Sequence, residues 1–551
     1  MRERLLTLFL AAVSLAWAAP AIRSGGVVNA ASFRLPGTPG GGLAQGSLAT
    51  AFGAGLGPAA GVSAGAYPLS TTLGGVSVRI TQGSRTFDAY PVFVIEGQVN
   101  FLVPSTVPVG AAEVRVTYNG ETSAAAPAQI VRSAPGIFTF SAGGSAQRAV
   151  AQNYVSASET PVNLPDASAS PGQTLIVYGT GLGSISAPDN QAPPAGDLGA
   201  GAIEVLVGGA PARVSYAGRS PCCAGLDQIV FELPANTPVG CSTPLVVRAG
   251  DAYSNVGDIS VSSRGGRCVE AITVGESGQV CLNGAGGQFT LYESFSQRLQ
   301  AVEIPGISPN FVIASGAGYF VRVSGCAPVP ALGLGSCSVS TRAVGANPAS
   351  PSPQPTPELP TSTYTVTYLD AGSTLTLRTP AVEVPFLRSG VAYSGRFPPF
   401  SVSDPKPALT AGEYTFSSTG GRDLGAFSST FSFAPLRLTS HSNGGNFDAS
   451  QPPTLRWSGG EYARDYLNVS ASLVDDRFVS TVQCLIAGGQ AGSFTLPEWA
   501  WRQIPSFKTG YAYLSVFGAS MLSPIPVKTA GLDLGVGFNM ITGHQLQMNI
   551  R

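Results

Sequence analysis

Charge is scarce in this chain. Lys, Arg, Asp and Glu together make up 11% of its 551 residues, and the formal net charge is −1. So neutral a surface offers no broad field to a nucleic-acid backbone or an anionic bilayer, and neither is expected as a partner. Lysine occurs only at Lys406, Lys508 and Lys528; the other cations are arginines. There are two histidines, His441 and His544, each without an acid or a cysteine close in sequence. With no H-E-x-x-H and no C-x-x-C, no metal site is expected. Cysteine is missing from the first 221 residues. Beyond the N-terminus no stretch of 18 uninterrupted apolar residues occurs, so no transmembrane segment is expected in the mature chain. Helical periodicity is nearly absent throughout.

What is present is apolar material and turn formers. Hydrophobic residues are 44% of the chain, with 69 Gly and 44 Pro. That suits many short strands joined by turns, in which Gly supplies positive φ and Pro fixes φ. The length is enough for roughly three to five domains. At the N-terminus, the basic Met1-Arg-Glu-Arg4, an apolar stretch over residues 5–15 and the small residues around Trp17 in Ala16-Trp-Ala18 predict a signal peptide over 1–18. The expected location is therefore exported: extracellular, cell surface or periplasmic. Such a compartment permits disulfides, and Cys222, Cys223, Cys241, Cys268, Cys281, Cys326, Cys337 and Cys484 are the structural candidates. Eight cysteines allow 105 pairings. Spacing favours Cys326–Cys337 first, then Cys241 with Cys222 or Cys223, which as neighbours in a strand would face opposite ways.

An internal repeat stands out. Gly46-Ser-Leu-Ala-Thr-Ala-Phe-Gly-Ala-Gly-Leu-Gly57 matches Gly172-Gln-Thr-Leu-Ile-Val-Tyr-Gly-Thr-Gly-Leu-Gly183. Gln98-Val-Asn-Phe-Leu-Val-Pro-Ser-Thr-Val-Pro-Val-Gly110 likewise matches Gln228-Ile-Val-Phe-Glu-Leu-Pro-Ala-Asn-Thr-Pro-Val-Gly240. The offsets are 126 and 130, so the copies differ by four loop residues. Within them, Val76-Ser-Val-Arg-Ile80 and Val114-Arg-Val-Thr-Tyr118 alternate as half-buried strands do. Asn119-Gly120 then supplies the two positive-φ positions of a type I′ hairpin. In the second copy Ile203-Glu-Val-Leu-Val207 runs into Gly208-Gly209. The predicted fold class is all-β, built of tandem immunoglobulin-like antiparallel β-sandwiches.

The order strand, G-x-G-L-G, strand, V-G-G-x-x-A, strand, seen at Gly179-Thr-Gly-Leu-Gly183 and Val207-Gly-Gly-Ala-Pro-Ala212, resembles IPT/TIG-type immunoglobulin-like domains. Gly26-Val-Val-Asn-Ala-Ala-Ser-Phe33 and Cys222-Cys-Ala-Gly-Leu-Asp-Gln-Ile-Val-Phe231 resemble motifs of a duplicated secreted family abundant in acidobacteria. The resemblance covers about 25–264; it implies export and this fold, and no established activity. The expected organisation is a signal peptide (1–18), repeats at 25–140 and 145–264, a Cys-containing β domain (265–345), a Pro-rich linker or loop (346–362), a β domain (363–437) and a C-terminal β-sandwich (438–551). One short helix is predicted in Leu496-Pro-Glu-Trp-Ala-Trp-Arg-Gln-Ile504.

Chemistry is harder to find. The glycines at 53–57 and 179–183 lack the following helix and the Lys of a phosphate loop, and read as tight corners. Glu498 between Pro497 and Trp499, with Trp501 nearby, is the most suggestive carboxylate for glycoside chemistry; the plainer reading puts the tryptophans in a core. Asp475-Asp476 reads as a solvated turn rather than a calcium site. No catalytic, cofactor-binding or metal residues are assigned, no cofactor is expected, and the chain is read as not an enzyme. The loops at 57–73 and 185–201 occupy equivalent places in the repeats and are candidate recognition loops or tolerated insertions. The expected function is an adhesion or interaction protein whose partner is an extracellular protein or polysaccharide. The alternatives are a secreted carbohydrate-active enzyme with its site in the C-terminal half and a structural envelope component.

Overall fold

The computed structural model describes residues 19–141, 147–194, 196–197, 202–268, 279–281, 284–297, 310–328, 335–344, 364–397, 409–460, 466–488, 492–525, 528–530 and 538–551. The expected signal peptide (1–18) and Pro-rich linker (346–362) lie outside the described residues. Among the described residues, apart from the single-turn helix Glu498–Trp501, the regular elements are strands.

The first sandwich packs two sheets. One joins Ala21–Asn29, Leu48–Ala54, Gln98–Leu102, Tyr90–Ile95 and Val62–Ser63. The other is led by Ala126–Val131, Gly110–Tyr118 and Val76–Gln82. Strand alternation decides what goes inside: Val76, Val78 and Ile80 are buried against Val114, Val116, Val99 and Phe101, while Arg79 and Arg115 face out. The cross-strand partners Val78↔Val116 and Ile80↔Val114 put these methyl groups on the same face. Tyr118 pairs with Glu121 across Asn119 (φ 51°) and Gly120 (φ 86°), the two-residue turn that the sequence predicts. Leu43–Ala44 leaves the first sheet's side to pair in parallel with Ala126–Val131, so the N-terminal stretch contributes to both layers.

The second sandwich repeats the scheme. Phe231 takes the place of Phe101, and both are fully buried. The strand Ala210–Arg219 joins the layers: Ala210–Ala212 pairs with Ile203–Val207, and from Arg213 onward, through an irregularity between Val214 and Tyr216, the strand pairs with Asp227–Glu232. The G-x-G-L-G strings form the corners expected of them. Gly55 (φ 65°) and Gly181 (φ 96°) take the left-handed region, and Leu56 and Leu182 tuck into their respective cores.

The C-terminal half is organised by pairings distant in sequence. Gly284–Gln297 pairs with Asn310–Pro328 on one side and, in parallel, with Phe538–Ile550 on the other. Asn310–Pro328 continues to Tyr364–Leu369 and Ala392–Arg396. Ser336–Ala343 pairs with Phe478–Ala487. Strands from the stretch 265–345 thus lie in one sheet with strands from the rest of the C-terminal half. Two apolar clusters result. One holds Tyr393, Tyr414, Phe386, Phe416 and Phe431; the other holds Leu455, Trp457, Trp499, Trp501, Leu514 and Leu546.

Candidate functional site

Two hairpin loops and the turn that joins Tyr364–Leu369 to Thr374–Arg378 converge at one end of the unit formed by residues 364–433. They enclose an open depression of about 520 Å³ lined by Asp370, Gly372, Ser373, Arg388, Gly390, Gly421 and Arg422. The sequence folds this way because its turn formers fall at the ends of strands that pair at long range. Thr374–Arg378 pairs with Glu383–Ser389 and with Gly412–Ser418, which sets the Asp370, Ser389–Ala392 and Gly420–Leu424 turns side by side.

Buried hydroxyls brace the floor. The Tyr393 Oη, wholly inaccessible, accepts from the Ala371 N–H at 2.9 Å and donates to the Gly372 carbonyl at 2.9 Å. Burial pushes its pKa up, so it stays a neutral phenol. Ser418 Oγ donates to the Ala371 carbonyl at 2.5 Å and accepts from Gly420 N–H at 3.0 Å. The main-chain N–H groups of Asp423 and Leu424 both donate to the Asp370 carbonyl at 3.0 Å. Gly421 is required by close approach: a Cβ there would sit 2.1 Å from the Gly372 nitrogen.

On this frame sit two guanidinium–carboxylate pairs. Arg388 Nη1 lies 2.5 Å from Asp370 Oδ2, and Arg388 Nε donates to the Gly390 carbonyl at 3.1 Å. Arg422 grips Asp423 with two parallel hydrogen bonds of 3.1 and 3.0 Å. The Gly372 N–H, helped by Arg388, holds the Asp370 carboxyl below the usual carboxylate range. Arg422, with the Asp370 N–H, does the same for Asp423. Both carboxyls are therefore charged at neutral pH. The arrangement presents planar donors beside anchored acceptors, suited to hydroxyl and carboxylate groups of a polar ligand. Sequence reasoning did not find this site, because its members lie 18 and 34 residues apart along the chain.

A second convergence joins the two repeats. Arg219 is buried; its Nη1 pairs with Asp227, and its Nη2 donates to the carbonyls of Gly46 in the first sandwich (2.5 Å) and Gly183 in the second (2.9 Å). The Asp227 Oδ2 accepts from Leu182 N–H at 2.8 Å. Burial pushes the Asp227 carboxyl up to about 6, and Arg219 opposes that rise. The candidate recognition loops are engaged here with each other: Leu69 N–H donates to the Asn190 carbonyl at 2.7 Å, and Asp189 accepts from the N–H and hydroxyl of Ser105, both at 2.7 Å. Arg34 reaches across to the Ser254 carbonyl at 2.8 Å and to Gln503 near the short helix, tying the C-terminal unit to the repeats.

The other residues singled out in the sequence are placed as follows. Trp499 and Trp501 are core side chains, with Trp501 Nε1 donating to the Ala449 carbonyl at 3.0 Å, so neither offers a face to a sugar. Glu498 is exposed and pairs with Arg502 at 2.9 Å; it is not a carboxyl held against an aromatic wall. Pro497 caps the helix one residue before its first turn. Asp475 closes the turn between Tyr466–Val474 and Phe478–Ala487, accepting from the N–H groups of Arg477 and Phe478. His441 Nδ1 lies 2.7 Å from Ser440 Oγ, and burial lowers its pKa. His544 is buried, and its Nδ1 accepts from Leu438 N–H at 3.0 Å. The sequence also contains one G-x-S-x-G string, Gly61-Val-Ser-Ala-Gly65. Ser63 there ends the two-residue strand Val62–Ser63 and leads into a loop, not the strand-to-helix elbow of a nucleophilic serine.

The disulfides correct the expected pairings. Cys337 bonds Cys484, its direct partner across Ser336–Ala343 and Phe478–Ala487, so Cys326–Cys337 is excluded. Cys326 instead lies opposite Cys281 in strand register. Cys241 bonds Cys268, and the adjacent Cys222 and Cys223 bond each other in a loop, free of the strand geometry that would point them apart. Long-range register, not spacing, sets the partners. Among the described residues no group of three or more metal-ligating side chains occurs, and no helix is long and apolar enough to cross a membrane.

No protein-family model matches the chain, and no curated protein matches it. Solved structures similar to it include SGBP-B from a complex xyloglucan utilization locus of Bacteroides uniformis, at 9% identity, covering 87% of this chain and 97% of that one, with a TM-score of 0.16. SGBP-B of the Bacteroides ovatus mixed-linkage glucan utilization locus, in complex with a mixed-linkage heptasaccharide, is 10% identical over 89% and 93%, with a TM-score of 0.13. The immunoglobulin domains 1–5 of Sidekick-1 are 10% identical over 97% and 99%, with a TM-score of 0.11. At such scores the likeness carries no functional weight; the sandwiches are established by the strand pairing itself.

Proposed function

We propose that this chain is a non-enzymatic exported interaction protein of the IPT/TIG-like type, which holds an extracellular polysaccharide at the depression formed by Asp370, Arg388, Arg422 and Asp423. The observation that carries the reading is that depression: an open, glycine-floored hollow at the loop end of a β-sandwich, with charged groups fixed by backbone hydrogen bonds before any ligand arrives. Preorganised donors of this kind reduce the ordering cost of binding. A shallow polar site binds weakly by itself, and a polymer that reaches several chains at once gains avidity.

The test is calorimetric titration of the mature chain with a panel of neutral and acidic polysaccharides. Arg422→Gln removes a guanidinium whose side chain is 75% exposed, so the fold should survive. Loss of its charge-assisted hydrogen bonds should weaken binding of the recognised polymer by about tenfold or more. Unchanged affinity in the variant, or release of new reducing ends by the unaltered chain, overturns the proposal.

A further inference from the structure

Cys222 and Cys223 sit in the loop that joins Ala210–Arg219 to Asp227–Glu232, and this loop is one of the parts of the second sandwich that meet the first. Ala224 N–H donates to the Tyr67 hydroxyl at 2.8 Å. The Gly225 carbonyl accepts from Thr180 Oγ1 at 2.7 Å, and Thr180 Oγ1 in turn accepts from Leu48 N–H of the first sandwich at 2.9 Å. Gly225 (φ 76°) lies so close to Leu48 and Leu102 that a Cβ would approach them to 2.8 and 2.7 Å. Ala224 completes a small apolar cluster with Leu69 and Leu102. The disulfide between neighbouring residues closes a ring on the backbone at the tip of this contact.

Exposure separates this bond from Cys241–Cys268 and Cys337–Cys484. Cys222 is exposed and Cys223 half-buried. Cys241, Cys268, Cys337 and Cys484 are at most 7% exposed. A thiolate must reach a disulfide sulfur to attack it, so access orders the bonds by reactivity.

We propose that Cys222–Cys223 is a thiol–disulfide exchange site that sets how firmly the first two sandwiches dock. The reductant is a dithiol, either a small molecule or a dithiol oxidoreductase. One of its thiolates attacks Cys222 Sγ, forming a mixed disulfide and expelling the Cys223 thiolate, which takes up a proton. The second thiol of the reductant then attacks its own sulfur in the mixed disulfide. This releases Cys222 as a thiol and leaves the reductant as a disulfide, two electrons having passed to the protein. With the ring open, the 220–226 loop regains backbone freedom, and ordering it against Tyr67, Leu48 and Leu102 becomes more costly. The loops around Leu69 and Asn190, held together in the oxidised chain, are then freed to meet a partner.

The experiment treats the intact mature chain with a low concentration of dithiothreitol, alkylates new thiols and locates them by peptide mass. Hydrogen–deuterium exchange is followed in parallel over residues 64–69, 102–105 and 220–226. Two thiols should appear first, at Cys222 and Cys223, and exchange in these three segments should quicken at least tenfold while the cores around Phe101 and Phe231 stay protected. A Cys222→Ser/Cys223→Ser chain should show the faster exchange with no reductant and gain nothing from it. Opening of Cys241–Cys268 or Cys337–Cys484 before Cys222–Cys223, or unchanged exchange after reduction, overturns the proposal.

Discussion

Arg219→Met tests most severely how the two repeats are joined. Arg219 and Asp227 are both buried, and the guanidinium also serves the carbonyls of Gly46 and Gly183. Removing the cation strands the Asp227 carboxylate away from water and leaves two carbonyls short of a donor. Breaking a buried pair from one side costs ~3–5 kcal/mol, mostly the penalty of the uncompensated charge. A chain of several units does not unfold in one step, so a single melting temperature is a poor gauge. Hydrogen exchange of the strands Thr174–Thr180 and Asp227–Glu232 reads the local opening directly. At tenfold per 1.4 kcal/mol, exchange there should quicken by about a hundred- to a few-thousand-fold. The double change Arg219→Met/Asp227→Leu removes both charges and should recover most of that loss. If Arg219→Met alone shifts exchange by less than tenfold, or if the double change is worse than the single, the clasp is not what holds this corner.

Two further outcomes concern the interior of the C-terminal half. Burial, followed by the nearby Arg437, lowers the pKa of His544 to about 4. The unfolded chain, with histidine near 6.5, therefore binds the proton first. The stabilisation by neutral His544 is complete above about pH 6.5 and fades as pH falls toward 4, by ~3 kcal/mol in total. Exchange of the strand Phe538–Ile550 should accelerate over that window in the wild type, and His544→Gln should flatten the slope; equal slopes would refute the assignment. At the short helix, Trp501→Ala should cost ~3–5 kcal/mol by opening a cavity beside Phe447, whereas Glu498→Gln should change stability by under ~0.5 kcal/mol. Comparable losses in denaturant titrations of the two variants would contradict the placement of these side chains.

The repeats were legible because each strand carries its own instruction. Val76, Val78 and Ile80 alternate with polar residues, and Asn119-Gly120 names its turn, so local pattern and tertiary burial agree. The C-terminal half was not, because its register is set by partners far away: Gly287 lies beside Phe538, and Cys337 beside Cys484. Nothing local marks those partners, and short spacing pointed to the wrong cysteine. The depression was hidden for the same reason: Asp370, Arg388 and Arg422 are ordinary turn residues until the pairing of Thr374–Arg378 with both of its neighbours gathers them. The 57–73 and 185–201 loops matched as equivalents in the two repeats, yet sequence could not show that they are spent on each other.

The architecture of the chain is tested most directly by a non-reducing peptide map of the protein purified under oxidising conditions. Linked peptides should place Cys337 with Cys484 and Cys241 with Cys268, with Cys222 and Cys223 joined inside one peptide. A peptide linking Cys326 to Cys337, or eight free thiols, would contradict the strand pairing on which everything above depends.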